Sequence, residues 1–173
     1  MSSGWRGRVA AGLLVAWAAG NGEARAQAAR STAIEATAGW AGFVDDATIE
    51  QAVFGVSARV PLTRRLSVGP EIVYMLGETS DRNWFALGSL WIDLGPAPDT
   101  ARVVPYVVVG GGYMRHSHLV RTGRFASGEG SFTAGGGVRA HVSDRIYVGG
   151  DLRIGWELHL RAGGHVGLTW PRR

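Results

Sequence analysis

SVGPEIVYM, residues 67–75, is a run of apolar and small residues that contains one carboxylate, Glu71. Moving a charged carboxylate out of water is costly unless nearby groups pair with it, so this residue needs a specific environment. A second stretch, YVGGDLRIG at 147–155, has nearly the same form and carries Asp151 in the place of Glu71. Two acids at equivalent positions of two similar stretches indicate a repeated structural arrangement.

Apolar residues around both stretches recur with a period of two, which is the pattern of a half-buried β-strand. Within 66–77, for example, they occupy the even-numbered positions, opposite Ser67, Gly69 and Glu71. The alternation predicts eight strands, at about 33–43, 51–60, 66–77, 84–94, 103–113, 131–142, 146–156 and 163–170. Each is close to the roughly 9–11 residues that a tilted strand needs to cross a membrane.

The connections between these strands differ at the two ends of the predicted sheet. Those after strands two, four and six are mostly short and rich in turn residues, at 61–65, 95–102 and 143–145. Those after the odd-numbered strands are polar, and the segment 114–130 is by far the longest. Short turns at one end and longer loops at the other are typical of an outer-membrane barrel.

Glycine and the aromatic residues indicate which face of the strands lies outside. The chain has 27 glycines in 173 residues, against a usual share of about 7%. Many lie on the polar face, where the narrow interior of an eight-stranded barrel would need small residues beside long ones. Aromatic residues lie near strand ends, where a membrane interface favours them: Trp40, Trp84, Tyr113, Trp156 and Trp170. We therefore expect the apolar face to contact lipid and the polar face to line the lumen.

Four segments of the sequence resemble those of a known superfamily. They are RLSVGPEIVY (65–74), VVPYVVVGGGY (103–113), GGGVRAHVSDRIYVGGDLRIG (135–155) and VGLTW (166–170). They resemble the small eight-stranded outer-membrane β-barrels, the OmpA-like and OmpX-like transmembrane domains, over about residues 30–170. The resemblance implies an all-β, eight-stranded antiparallel up-and-down transmembrane β-barrel. It also implies that the final strand, with Trp170 near its end, is recognised by the barrel assembly machinery.

The first residues predict export. The chain begins with a positively charged segment, which is followed by a short apolar core at 9–19 and by small residues around Ala26 and Ala28. This order is typical of a secretory signal peptide. We expect a signal peptide over 1–26, with cleavage after Ala26 or Ala28, and a barrel domain over 29–173. The expected location is the outer membrane of a Gram-negative-type bacterium, among its lipids and lipopolysaccharide. Export and a formal net charge of only +4 argue against a nucleic-acid partner.

Charged residues on the polar face predict a network inside the barrel. Burying them is tolerable only when they are paired and hydrogen-bonded. We expect Glu71 and Asp151 to pair there with arginines of the same face, and Glu35 to join them. The arginines are Arg59, Arg139 and Arg153. A lumen filled in this way should not conduct ions like a porin.

The predicted loop 114–130 contains the residues that come nearest to a catalytic or surface site. Serine, histidine and acidic groups are clustered there: His116, Ser117, His118, Ser127, Glu129 and Ser131. They would suit a lipid A deacylase, although the His-x-Ser-Asn pattern of that family is not matched. His116 and His118 have no third ligand placed by sequence, so no metal is expected, and no cofactor either. Nearby arginines suit contact with lipopolysaccharide phosphates: Arg115, Arg121 and Arg124.

Three functions are consistent with these patterns. The favoured one is a monomeric, non-enzymatic barrel with a structural or surface-interaction role and both termini in the periplasm. The second is a lipid A-modifying, deacylase-like enzyme that uses the loop at 114–130. The third is a soluble, secreted, lipocalin-like barrel that binds a ligand inside, which would require the apolar face to point inward.

Overall fold

The computed structural model describes residues 31–44, 48–77, 81–95, 101–120, 123–156 and 158–170, with the backbone alone at 44, 48–49, 118–120 and 123–125. The predicted signal peptide at 1–26 and both proposed cleavage positions, Ala26 and Ala28, lie outside the described residues. No helix in the described ranges has the length and apolarity needed to cross a membrane.

Eight antiparallel strands form a closed barrel in which each strand pairs with the next along the chain. They are β1 (Thr32–Val44), β2 (Thr48–Pro61), β3 (Leu66–Gly77), β4 (Arg82–Asp93), β5 (Val103–Val120), β6 (Gly123–His141), β7 (Ile146–Gly155) and β8 (His159–Trp170). Pairing of β1 with β8, from Thr32↔Trp170 to Phe43↔His159, closes the ring. The predicted fold class is confirmed. We call the end that holds Thr32 and Trp170 the terminal end, and the opposite one the distal end.

The predicted long loop at 114–130 is wrong. Strands β5 and β6 continue as a paired hairpin as far as Val120↔Gly123, so that only 121–122 connect them. The other distal connections are short as well, at 45–47, 78–81 and 156–158. Sequence alternation missed the extension because its residues are mostly polar or glycine on both faces, and a period of two is visible only when one face is apolar.

Exposure of the side chains shows that the apolar face of each strand points outward. On β3, Ile72 is 60% exposed, whereas its neighbours Glu71 and Val73 are 6% and 1% exposed. The same alternation follows β7, where Leu152 and Ile154 are exposed and Asp151 and Arg153 are buried. The outer wall is therefore aliphatic and the charged groups lie in the lumen.

The lumen has two layers. Its distal half is filled by an apolar layer, which consists of Ala41, Phe43, Val53, Val73, Met75, Phe85, Leu87 and Met114. Charged and aromatic residues fill the middle and the terminal half. Sequence alternation did not identify the apolar layer, because it assigned the whole inward face of each strand to the polar class.

Inward glycines give the lumen side chains the space they occupy. Gly135 on β6 pairs with Arg153 on β7. A methyl group on Gly135 would clash with the carbonyl oxygen of Leu152 and would lie 2.7 Å from Cα and 2.9 Å from Cγ of Arg153. Gly111 on β5 faces outward, and the nearest atom to a methyl group there would be the Ser131 carbonyl oxygen at 4.0 Å. One glycine is thus required by packing and the other is not.

We expect Gly135→Ala to lower the free energy of unfolding by about 1–3 kcal/mol, because the methyl group overpacks the interior against the Leu152 carbonyl and Arg153. The matched control, Gly111→Ala, should leave stability unchanged or raise it slightly, since it restricts the unfolded chain without a clash. Urea titration of the refolded barrel in detergent measures both. Equal effects of the two substitutions would contradict the packing role of Gly135.

Candidate functional site: the charged lumen

Glu71 lies at the centre of an ion-pair network in the middle of the lumen. Its Oε2 accepts hydrogen bonds from Arg153 Nη1 at 2.8 Å and from Ser89 Oγ at 2.8 Å. Its Oε1 accepts one from Arg161 Nη2 at 2.7 Å. Strands β3, β4, β7 and β8 each contribute one of these side chains. Both carboxylate oxygens therefore accept hydrogen bonds from donors on other strands. A buried carboxylate requires such partners.

Arg153 connects Glu71 to the second acid of the opening pattern, Asp151. Its Nε and Nη2 lie 2.9 and 2.8 Å from Asp151 Oδ2. The hydroxyl of Tyr106 donates to the same oxygen at 3.3 Å. One guanidinium thus holds two carboxylates, and its planar fork of donors suits that geometry.

Two further ion pairs lie toward the terminal end. Arg59 Nη1 lies 3.5 Å from Glu35 Oε1, and Arg59 Nη2 donates to the Tyr147 hydroxyl at 3.3 Å. Arg139 pairs with Asp93. Its guanidinium carbon also lies 4.5 Å from the ring centroid of Tyr106, within range of a cation–π contact.

Formal charge in the described lumen is balanced. Four acids and four arginines are buried there: Glu35, Glu71, Asp93 and Asp151 with Arg59, Arg139, Arg153 and Arg161. Six of these eight were predicted; Asp93 and Arg161 were not. Arg161 was missed because the predicted eighth strand began at 163 instead of His159, although Arg161 is in phase with the inward positions His165 and Thr169.

The expected pairing differs in detail from the structure. Arg59 and Arg139 pair with Glu35 and Asp93, and not with Glu71 or Asp151. A period of two assigns side chains to a face of a strand. It says nothing about which residues of distant strands meet at the same height in the barrel.

A polar cluster closes the distal mouth above the apolar layer. Gln51 Nε2 donates to Asp81 Oδ2 at 3.0 Å, and Asn83 Nδ2 donates to Gln51 Oε1 at 3.0 Å. His116 Nδ1 contacts the Asn83 side-chain oxygen, and its Nε2 lies 3.6 Å from Asp81 Oδ1. The described residues contain no group of three or more histidine or acidic side chains arranged to hold a metal ion.

The described residues of the predicted loop site lie on strands β5 and β6 and are divided between the two faces of the sheet. His116 faces the mouth of the lumen, whereas Arg115 and Ser117 occupy the outward face of β5. Ser117 Oγ donates to the Arg82 carbonyl at 3.3 Å, so it does not pair with His116. Ser127, Glu129 and Ser131 lie on the same face of the hairpin as His116, and Ser127 is its cross-strand partner. Ser131 is buried, while Ser127 and Glu129 are exposed at the rim. Arg121 and the side chains of His118 and Arg124 lie outside the described part of the chain.

The five predicted interface aromatics are all exposed on the outer wall. Four of them lie toward the distal end, namely Trp40, Trp84, Tyr113 and Trp156, and Trp170 lies at the terminal end. The rings of Trp84 and Tyr113 pack edge to face, with centroids 6.1 Å apart. The aliphatic wall therefore has amphipathic rings at both ends.

We expect Glu71→Leu to destabilise the barrel by roughly 3–5 kcal/mol, because it leaves the Arg161 guanidinium buried without its carboxylate. Urea titration of the refolded protein measures the loss, and Ile72→Leu on the adjacent outward position is the control. Arg161→Met in the Glu71→Leu background should recover part of the lost stability, since it removes the unpaired charge. A Glu71→Leu barrel as stable as the unaltered protein would overturn the pairing.

No protein-family model matches the chain, and no curated protein matches it. Solved structures do. Neisserial surface protein A has 12% sequence identity and a TM-score of 0.71, over 80% of this chain and 97% of that one. The N-terminal β-barrel domain of Pseudomonas aeruginosa OprF has 14% identity and a TM-score of 0.66, over 82% and 98%.

Ail, the attachment invasion locus protein of Yersinia pestis, has 9% identity and a TM-score of 0.56, over 80% of this chain and 97% of its own. At such identities the similarity shows the fold alone. The chain has the fold of the small eight-stranded outer-membrane β-barrels.

Proposed function

We propose that this protein is an outer-membrane β-barrel of a Gram-negative-type bacterium, with a structural or surface-interaction role and no enzymatic activity. The observation that carries the proposal is the placement of its two faces. Aliphatic side chains cover the outside of the barrel, and charged side chains are paired inside it. That distribution is the reverse of a soluble barrel and is the one that lipid stabilises.

The outer wall supports insertion into a bilayer. Exposed aliphatic residues occur on every strand, including Ile34, Val56, Ile72, Ile92, Val107, Val138, Leu152 and Val166. In water, a continuous apolar surface of this extent would drive association. The exposed aromatics lie near strand ends, where headgroups favour amphipathic rings. A soluble, lipocalin-like barrel would instead hold these aliphatic residues around a ligand.

The filled lumen supports the proposal that the barrel does not conduct ions. An ion that enters from the distal end meets the polar mouth cluster and then the apolar layer, in which Val53, Val73 and Met75 are at most 1% exposed. Beyond that layer the buried charges already have partners of opposite sign. An eight-stranded barrel has an interior that side chains can fill.

The terminal end suits the periplasm and the distal end suits the cell surface. The terminal end holds the start of β1 at Thr32, the end of β8 at Trp170 and the tight turns at 62–65 and 142–145. The β5–β6 hairpin projects from the distal end and is the surface that a partner outside the cell would meet. The final strand, ending at Trp170, is the one that the barrel assembly machinery would recognise. Closure of the sheet supports a monomer, because it leaves no strand edge along the wall.

An enzymatic function has weaker support. Ser117 faces the outer wall, away from His116. Ser127 is the cross-strand partner of His116, but it is exposed at the rim, and the ring nitrogens of His116 contact Asn83 and Asp81. A serine nucleophile needs a base within hydrogen-bond reach to activate it.

Cell fractionation and gel mobility test the proposed location. The protein should be recovered in the outer-membrane fraction and migrate faster when unheated, because the closed barrel resists detergent until it is heated. Purified barrels in a planar bilayer should show no steady large conductance. Recovery from the soluble periplasm would end the membrane proposal, and stable porin-like currents would end the filled-lumen proposal.

Orientation can be measured because the chain contains no cysteine. We expect Ala126→Cys, at an exposed position of the β5–β6 hairpin, to react with a membrane-impermeant maleimide on intact cells. Arg64→Cys, in the exposed turn at the terminal end, should react only after the outer membrane is permeabilised. The reverse result would place the termini at the cell surface.

A further inference from the structure

Two arginines lie together on the outer wall at its distal rim. Arg82 on β4 and Arg115 on β5 are both exposed and both point away from the lumen. Arg115 pairs with Trp84, and Arg82 pairs with Ser117, so the two arginines are diagonal neighbours on one face of the sheet. Such neighbours are about 7–8 Å apart, within reach of long side chains. Both guanidinium groups can therefore approach one anion.

A phenol hydroxyl lies beside this pair. Gly128 on β6 is the cross-strand partner of Arg115. The space above Gly128, where any other residue would carry its Cβ, is occupied by the hydroxyl of Tyr113. The ring of Tyr113 therefore extends toward the distal end, and its hydroxyl reaches the level of Arg115. Trp84 packs edge to face against that ring and supports its position.

These three groups have no partner within the described part of the chain. No hydrogen bond of the Tyr113 hydroxyl and no ion pair of Arg82 or Arg115 occurs among the described residues. On the described outward positions of β3 to β6 there is no acidic side chain. The patch is thus uniformly cationic, in contrast to the lumen, where each of the four buried acids pairs with an arginine.

The height of the patch identifies the kind of anion. Trp84 lies level with Arg115 as its cross-strand partner, and the aliphatic wall of β4 and β5 follows toward the terminal end, including the pair Leu90 and Val109. A bilayer that covers this wall places its headgroups at the level of the aromatic rings. Guanidinium groups bind phosphate oxygens through paired, charge-assisted hydrogen bonds, which strengthen where water is partly excluded. In the proposed orientation the lipids at this rim belong to the outer leaflet.

We infer that Arg82, Tyr113 and Arg115 bind a phosphate group of a phosphorylated glycolipid, of the lipid A type, in the outer leaflet. The site rests on the proposed outer-membrane location with the termini in the periplasm. The two arginines contact the phosphate oxygens, the Tyr113 hydroxyl donates a hydrogen bond to the same group, and Trp84 packs beside the sugar. This site faces lipid on the wall of the barrel and does not include His116.

Binding of bis-phosphorylated lipid A to the refolded barrel in detergent, followed by native mass spectrometry, tests the site. Arg82→Gln combined with Arg115→Gln should weaken binding about tenfold or more, which is the loss of at least one charge-assisted hydrogen bond. Tyr113→Phe should weaken it less. The control combines Arg64→Gln with Arg65→Gln, which removes the same charge from the terminal end and should change nothing. Enzymatically dephosphorylated lipid A should bind the unaltered barrel as weakly as the phosphorylated lipid binds the double variant.

Equal binding by the Arg82/Arg115 variant and the unaltered barrel would overturn the inference. So would an equal loss in the Arg64/Arg65 control, which would show general attraction between charges. Inorganic phosphate should fail to displace the lipid, and full displacement would show a site for free anions instead. Unheated gel mobility confirms that each variant is folded. Failure of the cell-surface labelling of Ala126→Cys would overturn the proposed orientation, and it leaves the binding result to decide the site itself.

Discussion

The narrow interior of a closed eight-stranded barrel is the constraint on which the rest of this structure depends. Every inward side chain shares one space that is only a few residues wide, so a charge placed there can reach partners on several strands. Glu71 meets this condition by contacting Arg153 on β7 and Arg161 on β8. Strands far apart in the chain are thereby joined through the interior as well as through their backbone hydrogen bonds.

The ion pairs also help to define the strand register. In a β-strand a shift by one residue exchanges the two faces, which on β3 would move Glu71 into lipid and Ile72 into the lumen. A purely apolar lumen would penalise such a shift much less, because both faces of β3 would then accept the same residues. We expect the buried charges to contribute to specificity as much as to stability, which is a recognised use of buried polar groups.

Sequence patterns were sufficient for the fold and only partly sufficient for the site. Alternation identified all eight strands because one face of each is aliphatic over nearly its whole length. It failed where that condition failed, in the β5–β6 extension. A separate boundary error, the late start predicted for β8, excluded Arg161. It placed Glu71 and Asp151 on the inward face, but the partner of each acid depends on the stagger of the strands, which a single strand does not encode. Arg115 and His116 are adjacent in sequence, and only their assignment to strand β5 places them on opposite faces.

The projecting hairpin leaves part of β6 with an open side. Residues 123–131 pair with β5, while the ladder between β6 and β7 begins only at Thr133↔Gly155. An open strand edge is a template for aggregation, and proteins commonly protect such edges with charge or with residues that resist extension. Here the segment reads GRFASGEGS, with three glycines and two charged residues. Glycine weakens a strand through its backbone entropy, so we expect this composition to make the open edge of the hairpin a poor nucleus for fibril growth.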